Sequence, residues 1–135
     1  MEASCQCGQL QAHVANEARS FTILCHCSAC QRRSGSPFGV IGYFPKNAVG
    51  IEGDAREFSR ENDLGNIVTN GFCPACGSTI YVVLSKNTDL IGVPVGAFAD
   101  PGFPRPDLAV WEQNRHDWVS LPEAVQCYQR GTDQK

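Results

Sequence analysis

Apolar and polar residues alternate along this chain in short bursts rather than long stripes. The runs are "LQAHVA" (10–15), "FTILC" (21–25), "FGVIGYF" (38–44), "NIVTNGF" (66–72), "STIYVVL" (78–84), "DLIGVPV" (89–95) and "LAVWEQ" (108–113), divided by turn material rich in Gly, Pro, Asn and Asp. Short β-branched and aromatic runs bounded by such turns predict an all-β domain built from antiparallel strands. Helical signals are sparse. Two short stretches qualify, Ser28 to Ser34 with Ser28 as the N-cap, and Glu123 to Tyr128, entered through Pro122. "GAFADPGFPRPD" (96–107), with three prolines and two glycines, predicts an irregular surface loop of the kind that often borders a site. Phe72, Tyr81, Trp111 and Trp118 are expected in the core.

Length and charge narrow the picture. At 135 residues, without a repeat, linker or low-complexity tract, the chain is expected to form a single domain over 1–135. A formal charge of −3 supplies no basic field for phosphate backbones or anionic lipid, so nucleic acid is not an expected partner. "MEASCQCGQL" has no basic or apolar leader, and no apolar run approaches the roughly 18 residues of a spanning helix. The expectation is a cytoplasmic protein with no membrane partner.

Cysteine changes the picture most. Seven of the eight fall in three clusters, Cys5/Cys7, Cys25/Cys27/Cys30 and Cys73/Cys76. Disulfides tie distant segments one to one, whereas metal sites need sulfurs grouped at short spacing, so zinc is the better reading. "CPACGS" (73–78) is the most specific signal: a Cys-x-x-Cys-Gly turn points both sulfurs at one metal, with Pro74 fixing the first bend and Gly77 supplying a positive φ. Cys5 and Cys7 stand at i and i+2 and can share a face of an extended segment. Together Cys5, Cys7, Cys73 and Cys76 would make a closed structural zinc site. Cys25, Cys27 and Cys30 can also reach one metal, and three protein ligands with an open fourth position are the pattern of a catalytic zinc. Spacing leaves a second partition open, in which Cys27/Cys30 join Cys73/Cys76 as a stretched ribbon and Cys5, Cys7 and Cys25 are left over. His26 is expected on the opposite strand face, solvated or hydrogen-bonded.

Charge bookkeeping suggests the chemistry. Zinc with three thiolates is formally −1, which opposes deprotonation of bound water and favours a substrate thiol, held as thiolate for attack on an electrophile. Arg32 and Arg33 follow Cys30 and can pair with the carboxylates of an acidic thiol, although solvated arginines account for them equally well. Ser34, Gly35, Ser36 and Phe38 read mainly as turn residues. Cys127 reads as a small buried apolar residue, His116 and Asp117 as an exposed turn, and His13 as a strand residue far from any cysteine.

"CQCG" (5–8), "CHCSACQRRSGSPF" (25–38), "GFCPACGSTIY" (71–81) and "PRPDLAVWEQNRHDW" (104–118) resemble, in order and spacing, the glutathione-dependent formaldehyde-activating enzyme family, which includes centromere protein V. The resemblance covers about residues 4–120. It implies an all-β fold of stacked antiparallel sheets, of the β-tent type, with a structural zinc on Cys5, Cys7, Cys73 and Cys76 and a second zinc on Cys25, Cys27 and Cys30. It also implies carbon–sulfur bond formation between glutathione and formaldehyde. The leading expectation is therefore a zinc-dependent carbon–sulfur lyase that joins a small thiol such as glutathione to a small aldehyde. Its rivals are a non-catalytic zinc-stabilised module that binds a thiol or a protein, and a redox sensor in which the open triplet forms a disulfide.

Overall fold

All seven predicted runs form strands in the structure, a computed structural model that describes residues 1–132. In chain order the strands are β1 (Glu2–Ser4), β2 (Gln11–Val14), β3 (Phe21–Cys25), β4 (Gly39–Pro45), β5 (Val49–Glu52), β6 (Arg56–Glu61), β7 (Ile67–Phe72), β8 (Thr79–Leu84), β9 (Leu90–Pro94), β10 (Leu108–Val110) and β11 (Gln126–Cys127). A single α-helix, α1 (Ser28–Ser34), and three short 3-10 turns complete the described residues. The strands make one three-stranded and one eight-stranded sheet, so the fold is mostly β. Among the described residues no helix is long and apolar enough to cross a membrane.

The chain divides into two compact units, and β4 carries it from one to the other. The first unit comprises residues 1–20 and 42–101. It contains the antiparallel sheet β1-β2-β5 and the antiparallel series β9-β8-β7-β6. Period-two alternation decides the faces: Ala3, Ala12 and Val14 are buried, whereas the intervening Glu2 and His13 reach water. Leu10, Phe44, Ile80, Val82 and Val93 are buried in this unit, and Phe44 meets Phe98 edge to face at 6.1 Å. A register shift between Gly71 and Phe72 breaks the regular β7–β8 ladder just before Cys73, with Phe72 still paired to Thr79 beyond it. There the Tyr81 ring occupies the room a side chain at position 71 would need, and its hydroxyl donates to Glu57 at 2.6 Å.

The second unit comprises residues 21–41 and 102 onward. Here β10 lies parallel to both β3 and β11, where antiparallel pairing alone was expected. Thr22 and Asp107 close the start of the β3–β10 pair, each backbone N–H donating to the other residue's oxygen at 2.8 Å. Leu24 and Ala109 face one cluster with Val125, Phe38, Val40 and Leu121. Ile23, Cys25, Leu108 and Val110 face the other, with Tyr128 and Trp111.

Several expectations give way. Residues 123–128 form a turn and then β11 rather than a helix. Cys27, not Ser28, is the N-cap of α1, because its sulfur takes the Cys30 N–H. Trp118 is 73% exposed, and Phe72, Tyr81 and Trp111 are only half-buried, so none of the four is a core residue. The pattern also hid β1, β5 and β6, whose sequences EAS, VGIE and REFSRE lack a sustained apolar face because most of their residues are exposed.

His13 on β2 binds Glu2 of β1 through Nδ1 and Glu52 of β5 through Nε2, the latter at 2.8 Å. The Glu52 and then the Glu2 carboxylate raise its pKa above the ordinary 6.5. A raised folded-state pKa stabilises fully below the unfolded value and is lost as pH rises through the folded value. His13→Gln is therefore expected to lower Tm at pH 5.5, with the difference vanishing by about pH 9. Paired thermal melts at the two pH values check this.

Candidate metal centres

Two tight turns bring the first cysteine group together. After Cys5 and Cys7 the chain reverses at Gly8 (φ +86°), and after Cys73 and Cys76 it reverses at Gly77 (φ +81°), the positive φ the knuckle was expected to need. The turns share a wiring: Cys5 N–H donates to Leu10 O and Gly8 N–H to Cys5 O, as Cys73 N–H donates to Ser78 O and Gly77 N–H to Cys73 O. The four sulfurs lie within 4.8 Å of one another, with Cys5 and Cys73 buried. Donors surround them. Leu10 N–H points at Cys5 Sγ (3.3 Å), Ala75 N–H at Cys73 Sγ (3.4 Å) and Gln9 Nε2 at Cys73 Sγ (3.1 Å). The Ser78 hydroxyl and backbone hold the Cys76 thiol down at about 5. Four soft sulfurs with amides directed at them suit a tetrahedral thiophilic cation, and this group can hold one.

The second group is built at the junction of β3 and α1. Cys25 ends β3, Cys27 caps α1, and Cys30 lies in the first turn of α1. Cys30 N–H reaches Cys27 Sγ at 3.3 Å and Cys27 N–H reaches Cys25 Sγ at 3.5 Å. The three sulfurs also lie within 4.8 Å of one another, each half-buried. Hydrogen bonding from Cys27 and Cys30, together with burial, pushes the Cys25 thiol far up, so without a cation the protonated form is favoured. This group too can hold a metal ion, with three protein ligands.

The structure separates the two arginines. Arg32 is exposed, whereas Arg33 is half-buried and reaches back over Gly39. A Cβ at Gly39 would stand 2.6 Å from an Arg33 guanidinium nitrogen and 3.4 Å from Cys30 Cβ, so both border the space over Gly39. The Cys30 thiol is nevertheless pushed up to about 11: hydrogen bonding with Cys25 lowers it, but Cys27 and burial outweigh that, and the Arg33 charge offsets only a small part.

His26 does turn away from the sulfurs, but it is fully buried rather than solvated. Its Nε2 lies 2.9 Å from Glu112 Oε2, off the line of a hydrogen bond, and Nδ1 is likewise without a hydrogen-bond partner. Burial lowers its pKa below the ordinary value. Gln31, directly after Cys30, donates through Nε2 to His26 O at 2.7 Å and to Asn114 O at 3.4 Å. Its Oε1 meets His116 Nε2 at 3.0 Å. His116 and Asp117 lie in an exposed turn, as expected. Cys127, expected to be buried, is exposed on β11, its thiol 3.5 Å from Val125 O, while Val125 and Tyr128 on either side of the strand are the buried residues. Sequence reasoning missed Gln31 and Glu112, because contacts across about 85 residues leave no local signal.

A mostly β protein with two cysteine clusters, one of four sulfurs and one of three, each able to hold a metal ion, defines the class. Residues 1–114 match the family model of the glutathione-dependent formaldehyde-activating enzyme, and the chain belongs to that family. It is similar to a Penicillium rubens protein named "Putative glutathione-dependent formaldehyde-activating enzyme", at 27% identity over 125 residues, covering 81% of this chain. The aligned part spans 65% of that relative's length. Its fold is similar to the crystal structure of a Rhodobacter sphaeroides protein, with a TM-score of 0.52, 21% identity, and coverage of 77% of this chain and 91% of that one.

The two groups are expected to differ in their hold on the fold. Cys73→Ser should lower Tm by about 10 °C or more, since a closed thiolate site contributes directly to folding, while Cys25→Ser should lower it by only a few degrees. Thermal melts of the two variants under identical reducing conditions check the contrast.

Proposed function

We propose that the protein is a carbon–sulfur lyase of its family, joining glutathione or a similar small thiol to an aldehyde such as formaldehyde. Family membership and the open three-sulfur group support this reading, and the observation that carries it is the convergence of Cys25, Cys27 and Cys30 within 4.8 Å at a half-buried position. In it, Cys5, Cys7, Cys73 and Cys76 hold a structural zinc and Cys25, Cys27 and Cys30 hold a catalytic one, two per chain. Zinc at the open group would bind a substrate thiol and keep it as thiolate near neutral pH. Residues 1–135 act as one domain, since the family match includes both cysteine groups.

Atoms and electrons balance without an oxidant. A sulfur lone pair forms the S–C bond, the carbonyl π bond breaks onto oxygen, and the proton lost from the thiol ends on that oxygen. The chain's own residues bind and orient. Arg33, held over Gly39 beside Cys30, is placed to anchor a carboxylate of the thiol substrate, whereas exposed Arg32 lacks that seating.

Cys27→Ser should abolish thiol-dependent consumption of formaldehyde. Arg33→Gln should raise KM for glutathione roughly tenfold with a smaller change in kcat, the loss of one charge-assisted contact. Arg32→Gln should change KM less than about threefold by the same reasoning. Steady-state kinetics with glutathione varied at fixed aldehyde separates the three. Unchanged turnover in Cys27→Ser would remove the proposal.

A further inference from the structure

His26 stands between two of the three sulfur ligands of the open group, and the protein grips it from several sides. Its N–H donates to Val110 O on β10 at 3.1 Å, and its carbonyl accepts from Gln31 Nε2 at 2.7 Å. Its ring packs edge-on against Phe38 and presents Nε2 to Glu112 Oε2 at 2.9 Å. The Glu112 side chain is only 9% exposed and also faces Arg115 Nε at 3.7 Å. Glu112 is presented by an unusual turn: Trp111 adopts φ +60°, a left-handed conformation rare for an aromatic residue, with the Arg130 guanidinium 5.1 Å over its ring.

A fully buried imidazole beside a nearly buried carboxylate is a poor way to hold a core together. Apolar residues of the same volume do so at no desolvation cost. Gln31 points the same way. It adjoins Cys30, yet its amide spends its donors on His26 O and Asn114 O and sets its acceptor against His116. One side chain thus joins the segment bearing Cys25 and Cys27 to the helix bearing Cys30, and both to the segment 112–116.

We infer that Gln31 and Glu112, acting through His26, are positioning residues that hold Cys25, Cys27 and Cys30 in register for a metal ion. The inference rests on the reading of this group as a metal site. Groups of this kind around thiolate and imidazole ligands usually contribute about ten- to a hundredfold in metal affinity.

The test uses full-length protein produced in cobalt-containing medium, so that the metal enters during folding, with cobalt then withdrawn by a graded chelator while the sulfur-to-cobalt absorption is followed. Wild type is expected to release cobalt in two phases, the weaker one missing from Cys27→Ser. Gln31→Ala and Glu112→Ala should weaken that phase alone, by about ten- to a hundredfold, and shift its d–d bands. Glu112→Gln, which keeps shape and a polar atom near the His26 ring, should restore the affinity to within about threefold. Two phases in wild type with affinity and bands unchanged in both alanine variants would overturn the positioning role and leave the metal site standing. A single phase in wild type, also present in Cys27→Ser, would instead overturn the metal reading beneath it. If the alanine variants lose both phases through misfolding, Gln31→Glu decides, since it keeps the size and removes the donor to His26 O. Selective weakening supports the inference, and an unchanged second phase overturns it.

Discussion

Repulsion between thiolates is the constraint around which this protein is arranged. Seven sulfurs stand in two groups whose members lie within 4.8 Å of one another. Two unit charges 4 Å apart cost about 1 kcal/mol in water and about 4 kcal/mol in the effective dielectric near a protein surface, so neither group can ionise fully without a cation. The Cys25 thiol, raised by hydrogen bonding with Cys27 and Cys30 and then by burial, stays protonated without a cation, and the low Cys76 thiol shows where local donors favour the thiolate. A bound cation reverses the balance, converting clustered like charges into ligands and coupling its own binding to folding.

The elements around the sulfurs are short because their task is to end in the right place. β7 shifts register and ends at Phe72 just before Cys73, β3 stops at Cys25, and α1 begins with a cysteine as its cap. Each sulfur group therefore sits where a ladder or helix terminates and backbone N–H groups are free to point at sulfur. Closure distinguishes the groups. The first unit supplies two glycine turns and four sulfurs, whereas the second supplies three sulfurs and a half-buried arginine that borders Gly39 with Cys30.

Much of this was legible in sequence, and the gaps have physical causes. The runs at 21–25, 66–72 and 78–84 announced their strands because β-branched and aromatic residues together dominate them. The 73–77 knuckle announced itself because glycine takes its positive φ cheaply, whereas Cys5 and Cys7, expected on an extended segment, meet across a turn at Gly8. Of the two partitions the spacing left open, the structure assembles Cys5, Cys7, Cys73 and Cys76 as one group and Cys25, Cys27 and Cys30 as the other. The strands β1, β5 and β6 stayed hidden because they are mostly exposed and charged. The parallel pairing of β3 with β10 was invisible because it joins segments more than 80 residues apart, which no local period encodes. The same distance hid Glu112 and the contact of Gln31 with His116, whereas Trp118 misled because a large aromatic is ordinarily buried and here lies exposed.

The central claim is that the open group binds a metal and, through it, a thiol. Native mass spectrometry of freshly purified protein, with and without millimolar glutathione, tests it most directly. The account predicts two zinc ions per chain and a glutathione adduct that disappears in Cys27→Ser. One zinc per chain with no adduct would contradict it, leaving a metal-stapled β protein whose second cysteine group serves another purpose.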